Sequence, residues 1–251
     1  MKTEFKNVLE TIDKIAYKDT PGVSLFGAID PADTDGISVL QNWSGKSVDS
    51  IKRIMSTAYG KQQILFNPFV DSGSSMHSPI VFSKMLPGEN PDIQYALEET
   101  DYGNIIIAST KKGICYLVFY SGSEEKISDI LKKEFPGSVN RKGSDEFQRA
   151  ALNYLKGNYE QVVYVHVKGT DEQLQIWHAL TKVPSGKLIS YGTLAKATNN
   201  MAQDIGAAMG DNRIAMLIPC HRVIKATGEP GQYHWGAKRK QAMIIKESVL
   251  A

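Results

Sequence analysis

The alternation of apolar and polar residues is sharpest in the middle of the chain. Asn104 to Ser109 and Ile114 to Tyr120 are rich in Ile, Val and Tyr and flank Lys111-Lys112-Gly113, the pattern of two strands joined by a tight turn. Ile127, Ile130, Leu131 and Phe135 then share one helical face, with Ser123 as a candidate N-cap and Pro136-Gly137 as a stop. Phe147, Ala151 and Leu155 mark another helix and Gln161 to Lys168 a strand. Further on, Thr170-x-x-Gln173 has the form of a capping box, opening a helix whose Leu174, Trp177 and Leu180 face inward. Ser190 is placed to cap a helix containing Leu194 and Ala197, and Asn199-Asn200 supplies a turn. Met201, Ile205, Ala208 and Met209 recur at helical spacing after it, so two short helices joined by a turn are expected.

The N-terminal third is less patterned. Val48, Ile51, Ile54 and Met55 predict a helix over Ser47 to Tyr59, whereas in Gly22 to Gly36, which carries Pro31 and three glycines, no helix pair is legible. Asp71 to Asn90, rich in Ser, Pro and Gly, reads as a connection with a boundary near Pro87 to Pro91. The expected division is therefore 1–90, mainly helical; 91–167, α+β; and 168–251, which holds the helix pair.

A chain of 251 residues, 42% of them hydrophobic and 22% charged, can bury a substantial core. No stretch approaches the roughly 18 to 20 apolar residues of a membrane span, and the opening residues lack the apolar centre of a secretory signal. The expectation is a cytoplasmic protein with no membrane partner. The two cysteines, Cys115 and Cys220, are too few for a disulfide framework, and no Cys/His spacing matches a zinc site. Net charge is +2, unevenly spread: from Lys168 onward eight Lys and three Arg face six acidic residues, and the remainder is acidic. This permits a polyanion such as DNA near the C-terminal third.

Cys115 lies in an apolar strand pattern, the setting of a buried, inert thiol. Cys220 is different. The run Ile214-Ala-Met-Leu-Ile-Pro-Cys-His-Arg-Val-Ile224 sets a cysteine, a histidine and an arginine between two apolar stretches, and Pro219 removes a backbone donor just before them. A thiolate needs a base or a positive field at neutral pH, and His221 and Arg222 are the nearby groups in sequence able to supply one. Neighbours in an extended chain point apart, so a direct Cys220 to His221 contact requires a sharp turn, and otherwise a bridging water.

Pro219-Cys220-His221-Arg222-Val223 resembles the active-site motif of the methylated-DNA–protein-cysteine methyltransferases. Ile176-Trp177-x-x-Leu180, Val183-Pro184-x-Gly186, Ser190-Tyr191, Gly206-x-Ala208-Met209, Asn212 and Tyr233-x-Trp235-Gly236 follow that family's order and approximate spacing, and the resemblance runs from about Tyr95 to Ala251. It implies an α+β fold: a ribonuclease H-like subdomain, to which the Tyr102-Gly103 to Leu117 hairpin is similar, and then a winged-helix-like active-site subdomain. The implied activity is stoichiometric transfer of an alkyl group from O6 of guanine in double-stranded DNA to Cys220, without cofactor or metal, by a monomer in the bacterial nucleoid. The alternative is a binding or transcription-regulating protein with the same fold and little or no transfer.

Residue by residue, the resemblance makes Cys220 the acceptor, His221 its base through water, and Glu247 the carboxylate that orients the imidazole. Tyr191 matches a phenol near guanine N3, Asn212 a hinge residue and Tyr233 an aromatic wall of the base pocket. Ser190, Ala202, Gln203, Gly206 and Arg222 match positions on the DNA side. Gln203 stands where the family usually has an arginine that enters the space left by the extruded base, and Asp204 beside it repels phosphate. Weaker duplex binding or base extrusion is expected. Arg213, where Pro is frequent, offers a possible phosphate contact. Trp43-Ser44-Gly45-x-Ser47 resembles the second half of an AraC-type DNA-binding module, and Val81-Phe82-x-x-Met85-x-Pro87-Gly88 its exit, which makes 1–90 a degenerate copy of that module.

Overall fold

The computed structural model describes residues 3–15, 34–47, 49–50 and 78–247. Contacts divide the chain into two compact units, one of residues 75–182 and 211–220, the other of 1–74, 183–210 and 221–251. The class is mixed α/β, as the sequence implied.

The first unit is built on a six-stranded sheet. Its strands are β1 (Ile80–Lys84), β2 (Asp92–Thr100), β3 (Gly103–Thr110), β4 (Gly113–Phe119), β5 (Val139–Lys142) and β6 (Val163–Val167), in the order β1-β6-β4-β3-β2-β5. Strands β2, β3 and β4 form an antiparallel meander, and β1, β6 and β5 join it by parallel pairing. Every residue of β4 is buried, as expected of an apolar strand at the centre of a covered sheet. The predicted turn between β3 and β4 depends on Gly113. Its φ is +138°, and a Cβ there would lie 2.4 Å from the Tyr164 carbonyl oxygen on β6, so only glycine lets the two strands approach.

Helices α3 (Ile127–Glu134), α4 (Glu146–Leu155) and α5 (Asp171–Leu180) complete this unit. Thr170 and Gln173 form the capping box, each side chain bonded to the other's backbone N–H. Ser123 makes no side-chain cap, because a 3-10 turn over Glu124–Lys126 separates it from α3, and Phe135 lies just past the helix end. The segment expected to be the exit of an N-terminal module is in fact β1, paired with β6 from Ile80↔Val163 to Lys84↔Val167. Its hydrogen-bonding edge found a partner more than 80 residues away, which local pattern cannot reveal.

The second unit contains α1 (Thr3–Ile15), α2 (Thr34–Ser44), the parallel pair β7 (Ile189–Ser190) and β8 (Val223–Ile224), α6 (Tyr191–Thr198) and α8 (Ala237–Glu247). It also holds all but the last residue of α7 (Ala202–Asp211). The helix predicted over Ser47 to Tyr59 lies, from residue 51 on, outside the described residues. Helix α2 begins inside the stretch where the sequence showed no legible helix pair and closes on Gly45, at φ +70°, whose N–H donates to Gln41 O at 2.9 Å. Helix α1 was unforeseen, although Phe5, Val8, Leu9 and Ile12 carry helical spacing. Phe5, Val8, Leu40 and Trp43 are buried, and α1 packs on both α2 and α8.

The helix pair forms as expected. Ser190 caps α6 by accepting from Thr193 N–H at 3.0 Å, and Asn199, left-handed at φ 55°, ends it. In α7 the buried stripe is Ile205, Ala208 and Met209, but Met201 is 67% exposed: it precedes the helix, where periodicity no longer governs its direction.

Candidate active site

The segment leading to Cys220 leaves the sheet in tight steps. Leu117 N–H donates to Arg213 O and Ala215 N–H to Leu117 O, so Ile214 makes one bridge with β4. Two turns follow, Leu217 N–H to Ala215 O at 2.7 Å and Cys220 N–H to Ile218 O at 2.8 Å, with Met216 at φ 65°. Cys220 through Arg222 then form a 3-10 turn. The chain is thus not extended at Cys220, and the side-chain alternation assumed for an extended chain does not apply.

Asn212 holds this segment from within the first unit. It is fully buried; its Oδ1 accepts from Ile214 N–H at 2.8 Å, and its Nδ2 donates to Ile218 O at 3.0 Å and to Cys220 Sγ at 3.2 Å. A donor aimed at sulfur favours the thiolate over the thiol, since only the anion gains a charge-assisted bond. Sequence matching gave Asn212 as a hinge; this direct contact with the sulfur was not legible there. Cys220 is 3% exposed and Cys115 is 2% exposed, and neither forms a disulfide. The Cys115 thiol donates to Ala108 O at 3.6 Å, and burial pushes its pKa up, so it stays protonated.

Across the next peptide bond, within the second unit, His221 and Glu247 meet: Nε2 to Oε1 is 2.8 Å. Burial lowers the pKa of His221 against the pull of Glu247, which leaves the ring neutral. A neutral ring facing a carboxylate donates from Nε2, and Nδ1 then carries the lone pair. Nδ1 is buried and has no protein hydrogen-bond partner among the described residues. Burial opposes the charge on Glu247, but Arg222 and His221 overcome it and hold the carboxyl well below the usual carboxylate range.

Arg222, which the resemblance puts on the DNA side, is 8% exposed and grips Glu247 with two bonds, Nε to Oε2 at 2.8 Å and Nη2 to Oε1 at 3.0 Å, while Nη1 donates to Val183 O at 2.7 Å. Its fork fixes the carboxylate that faces His221. Lys240, missed in the sequence because lysines on a helix are usually solvated, is 1% exposed and donates to Val223 O at 2.6 Å. It braces the strand that follows the Cys-His-Arg turn.

Tyr191 opens α6, half-buried. Tyr233 is half-buried too; its ring meets Trp235 edge-on at 5.2 Å, and its hydroxyl donates to Met243 Sδ at 3.8 Å. The Ser190 hydroxyl serves the α6 cap. Ala202, Gln203, Asp204 and Gly206 are exposed along α7, and Asp204 accepts from Met201 N–H at 3.0 Å. The carboxylate beside Gln203 therefore caps its own helix. Arg213 pairs with Glu134 at 3.4 Å in the first unit. Among the described residues no group of three or more His, Cys, Asp or Glu is placed to hold a metal, and no helix is long and apolar enough to cross a membrane.

Two short helices joined by a turn, and a buried Cys-His-Arg turn with its own carboxylate, are thus both present. Residues 171–249 match the family model for the 6-O-methylguanine DNA methyltransferase DNA-binding domain. The chain is 32% identical over 163 residues to the inducible methylated-DNA–protein-cysteine methyltransferase of Bacillus subtilis, a match covering 62% of this chain and 91% of that protein. It belongs to the methylated-DNA–protein-cysteine methyltransferase family. It is also 31% identical over 167 residues to the bifunctional transcriptional activator/DNA repair enzyme Ada of Escherichia coli, covering 64% of this chain but 47% of that relative, so the match spans about half of the longer protein. The structure of Mycobacterium tuberculosis OGT in complex with DNA matches with a TM-score of 0.50 and 26% identity, over 63% of this chain and 94% of that one.

Proposed function

We propose that this protein repairs alkylated DNA by moving the alkyl group from O6 of guanine onto Cys220, once per molecule. The observation that carries the reading is a neutral histidine whose Nε2 faces Glu247, next in sequence to a cysteine whose sulfur is held by the Asn212 amide. His221 Nδ1 takes the thiol proton through a water. The Cys220 thiolate attacks the alkyl carbon, the carbon–oxygen bond breaks, and its electron pair leaves with guanine, which is reprotonated with Tyr191 as donor. The product is a thioether, which has no hydrolysis route in such a site, so the protein is consumed.

The substrate in this reading is double-stranded DNA carrying O6-alkylguanine, bound by a monomer in the bacterial cytoplasm at the nucleoid. DNA contact is placed in residues 168–251. The exposed face of α7 supports approach of a nucleic-acid backbone, because a Cβ at Gly206 or Gly210 meets nothing within 4 Å and packing therefore does not require glycine at either position. Tyr233 supports a stacking role, since a flipped base regains part of its lost stack on an aromatic ring.

The test is intact-protein mass spectrometry after mixing excess protein with a duplex containing O6-methylguanine, with Cys220→Ala as control. One added methyl group, localised to Cys220 and absent from the control, is expected. No gain on the duplex and none with the free base O6-benzylguanine overturns the reading in favour of a binding protein without transfer.

A further inference from the structure

The N-terminal helices contact the reacting region through its last helix. Phe5 of α1 is 1% exposed and Trp43 of α2 is 7% exposed, and their rings pack together with centroids 5.8 Å apart. Each ring also receives a cation from α8. The Arg239 guanidinium lies 5.7 Å from the Phe5 centroid near the start of α8, and Lys246 Nζ lies 4.8 Å from the Trp43 centroid at its end. Lys246 immediately precedes Glu247, the residue that faces His221 and Arg222. Between these two contacts Lys240 is bonded to Val223 O, and Ala242, Met243, Ile244 and Ile245 are buried.

A last helical turn frays unless something holds it, and a fraying turn at Lys246 carries the Glu247 carboxylate away from the imidazole. We propose that Trp43 is a positioning residue for the transfer reaction: by holding Lys246 it fixes Glu247 against His221, which makes the N-terminal segment a clamp on the active site rather than a separate DNA-reading module. The buried, packed state of Trp43 supports this, because a ring engaged on α8 is not offered to a DNA groove. The inference rests on the proposed function for its kinetic readout, and its structural readout is independent of it.

The experiment compares full-length wild type, Trp43→Ala, Trp43→Phe and Lys246→Met. The rate of Cys220 labelling by O6-benzylguanine is followed against pH, and the His221 ring by two-bond proton–nitrogen NMR. Wild type shows a neutral ring protonated on Nε2. Trp43→Ala is expected to slow labelling about fivefold, the ratio that a cation–π contact of about 1 kcal/mol controls, and to move both the pH profile and the His221 tautomer signals. Trp43→Phe restores both, since it returns a ring face to Lys246. Unchanged His221 signals and an unchanged pH profile in a folded Trp43→Ala overturn the clamp, whatever the rate. Should that variant not fold, Lys246→Met, which keeps the aliphatic stem and removes the cation, gives the same two readouts. Absence of labelling in wild type rejects the transfer reading alone, while the His221 signals still decide the clamp.

Discussion

Glu247→Gln isolates what the buried carboxylate does. The substitution keeps the volume, removes the charge and turns one acceptor into a donor. In the native site the carboxylate accepts from His221 Nε2 at 2.8 Å and from Arg222 at 2.8 and 3.0 Å. A glutamine amide cannot satisfy all three donors: in either orientation its NH2 faces a guanidinium N–H, and with the NH2 in the place of Oε1 it also faces the imidazole N–H. Breaking a buried pair by removing one partner costs about 3–5 kcal/mol, because the other charge is left uncompensated. With the Glu247 side chain 15% and the Arg222 side chain 10% exposed, some solvent reaches both, so the lower end, about 3 kcal/mol, is expected. The pH dependence has a definite sign. Glu247 titrates below its unfolded value, so its contribution is fully present above the ordinary carboxylate range and is lost as pH falls toward the depressed native value. Urea unfolding of both proteins at pH 7 and pH 3 should therefore show a gap that narrows in acid. A gap below about 1 kcal/mol at pH 7, or one that widens in acid, would refute the buried-pair argument. Labelling of Cys220 should slow by about tenfold or more as the imidazole loses its fixed tautomer.

Asn212→Ala removes the donor to Cys220 Sγ and orphans Ile214 N–H, so labelling should require higher pH, and stability, read by thermal unfolding, should fall by about 1–3 kcal/mol. Gln203→Arg puts a positive charge on the exposed face of a helix that has two Asp and no Lys or Arg; duplex affinity should rise, and the slope of log K against log salt should steepen by about one, measured by fluorescence anisotropy. Cys115→Ala should leave the labelled mass and rate unchanged, because that thiol is buried and protonated. Gly113→Ala should destabilise the sheet unit by more than about 2 kcal/mol in urea unfolding, since its Cβ has no room beside the Tyr164 carbonyl.

By itself the sequence determined the local elements and the chemistry-bearing run. The β3–β4 hairpin, the Thr170 capping box, the Ser190 cap and the Asn199 turn are set by residues a few positions apart, so composition and spacing suffice to predict them. Cys220 and His221 also stood out, because a proline, a thiol and an imidazole between apolar stretches have few packing reasons to be there. Tertiary structure alone decided which distant groups meet. The parallel pairing of β1 with β6 joins residues more than 80 positions apart. The choice of Arg222 as the partner of Glu247 rather than of phosphate spans 25 positions, and the Asn212 bond to Cys220 Sγ depends on two tight turns whose dihedrals no periodicity encodes. The burial of Trp43 under Lys246 joins an N-terminal helix to the last one. Such contacts are selected by the free energy of burying and pairing groups in three dimensions, whereas spacing along the chain records only which face of its own element each residue occupies.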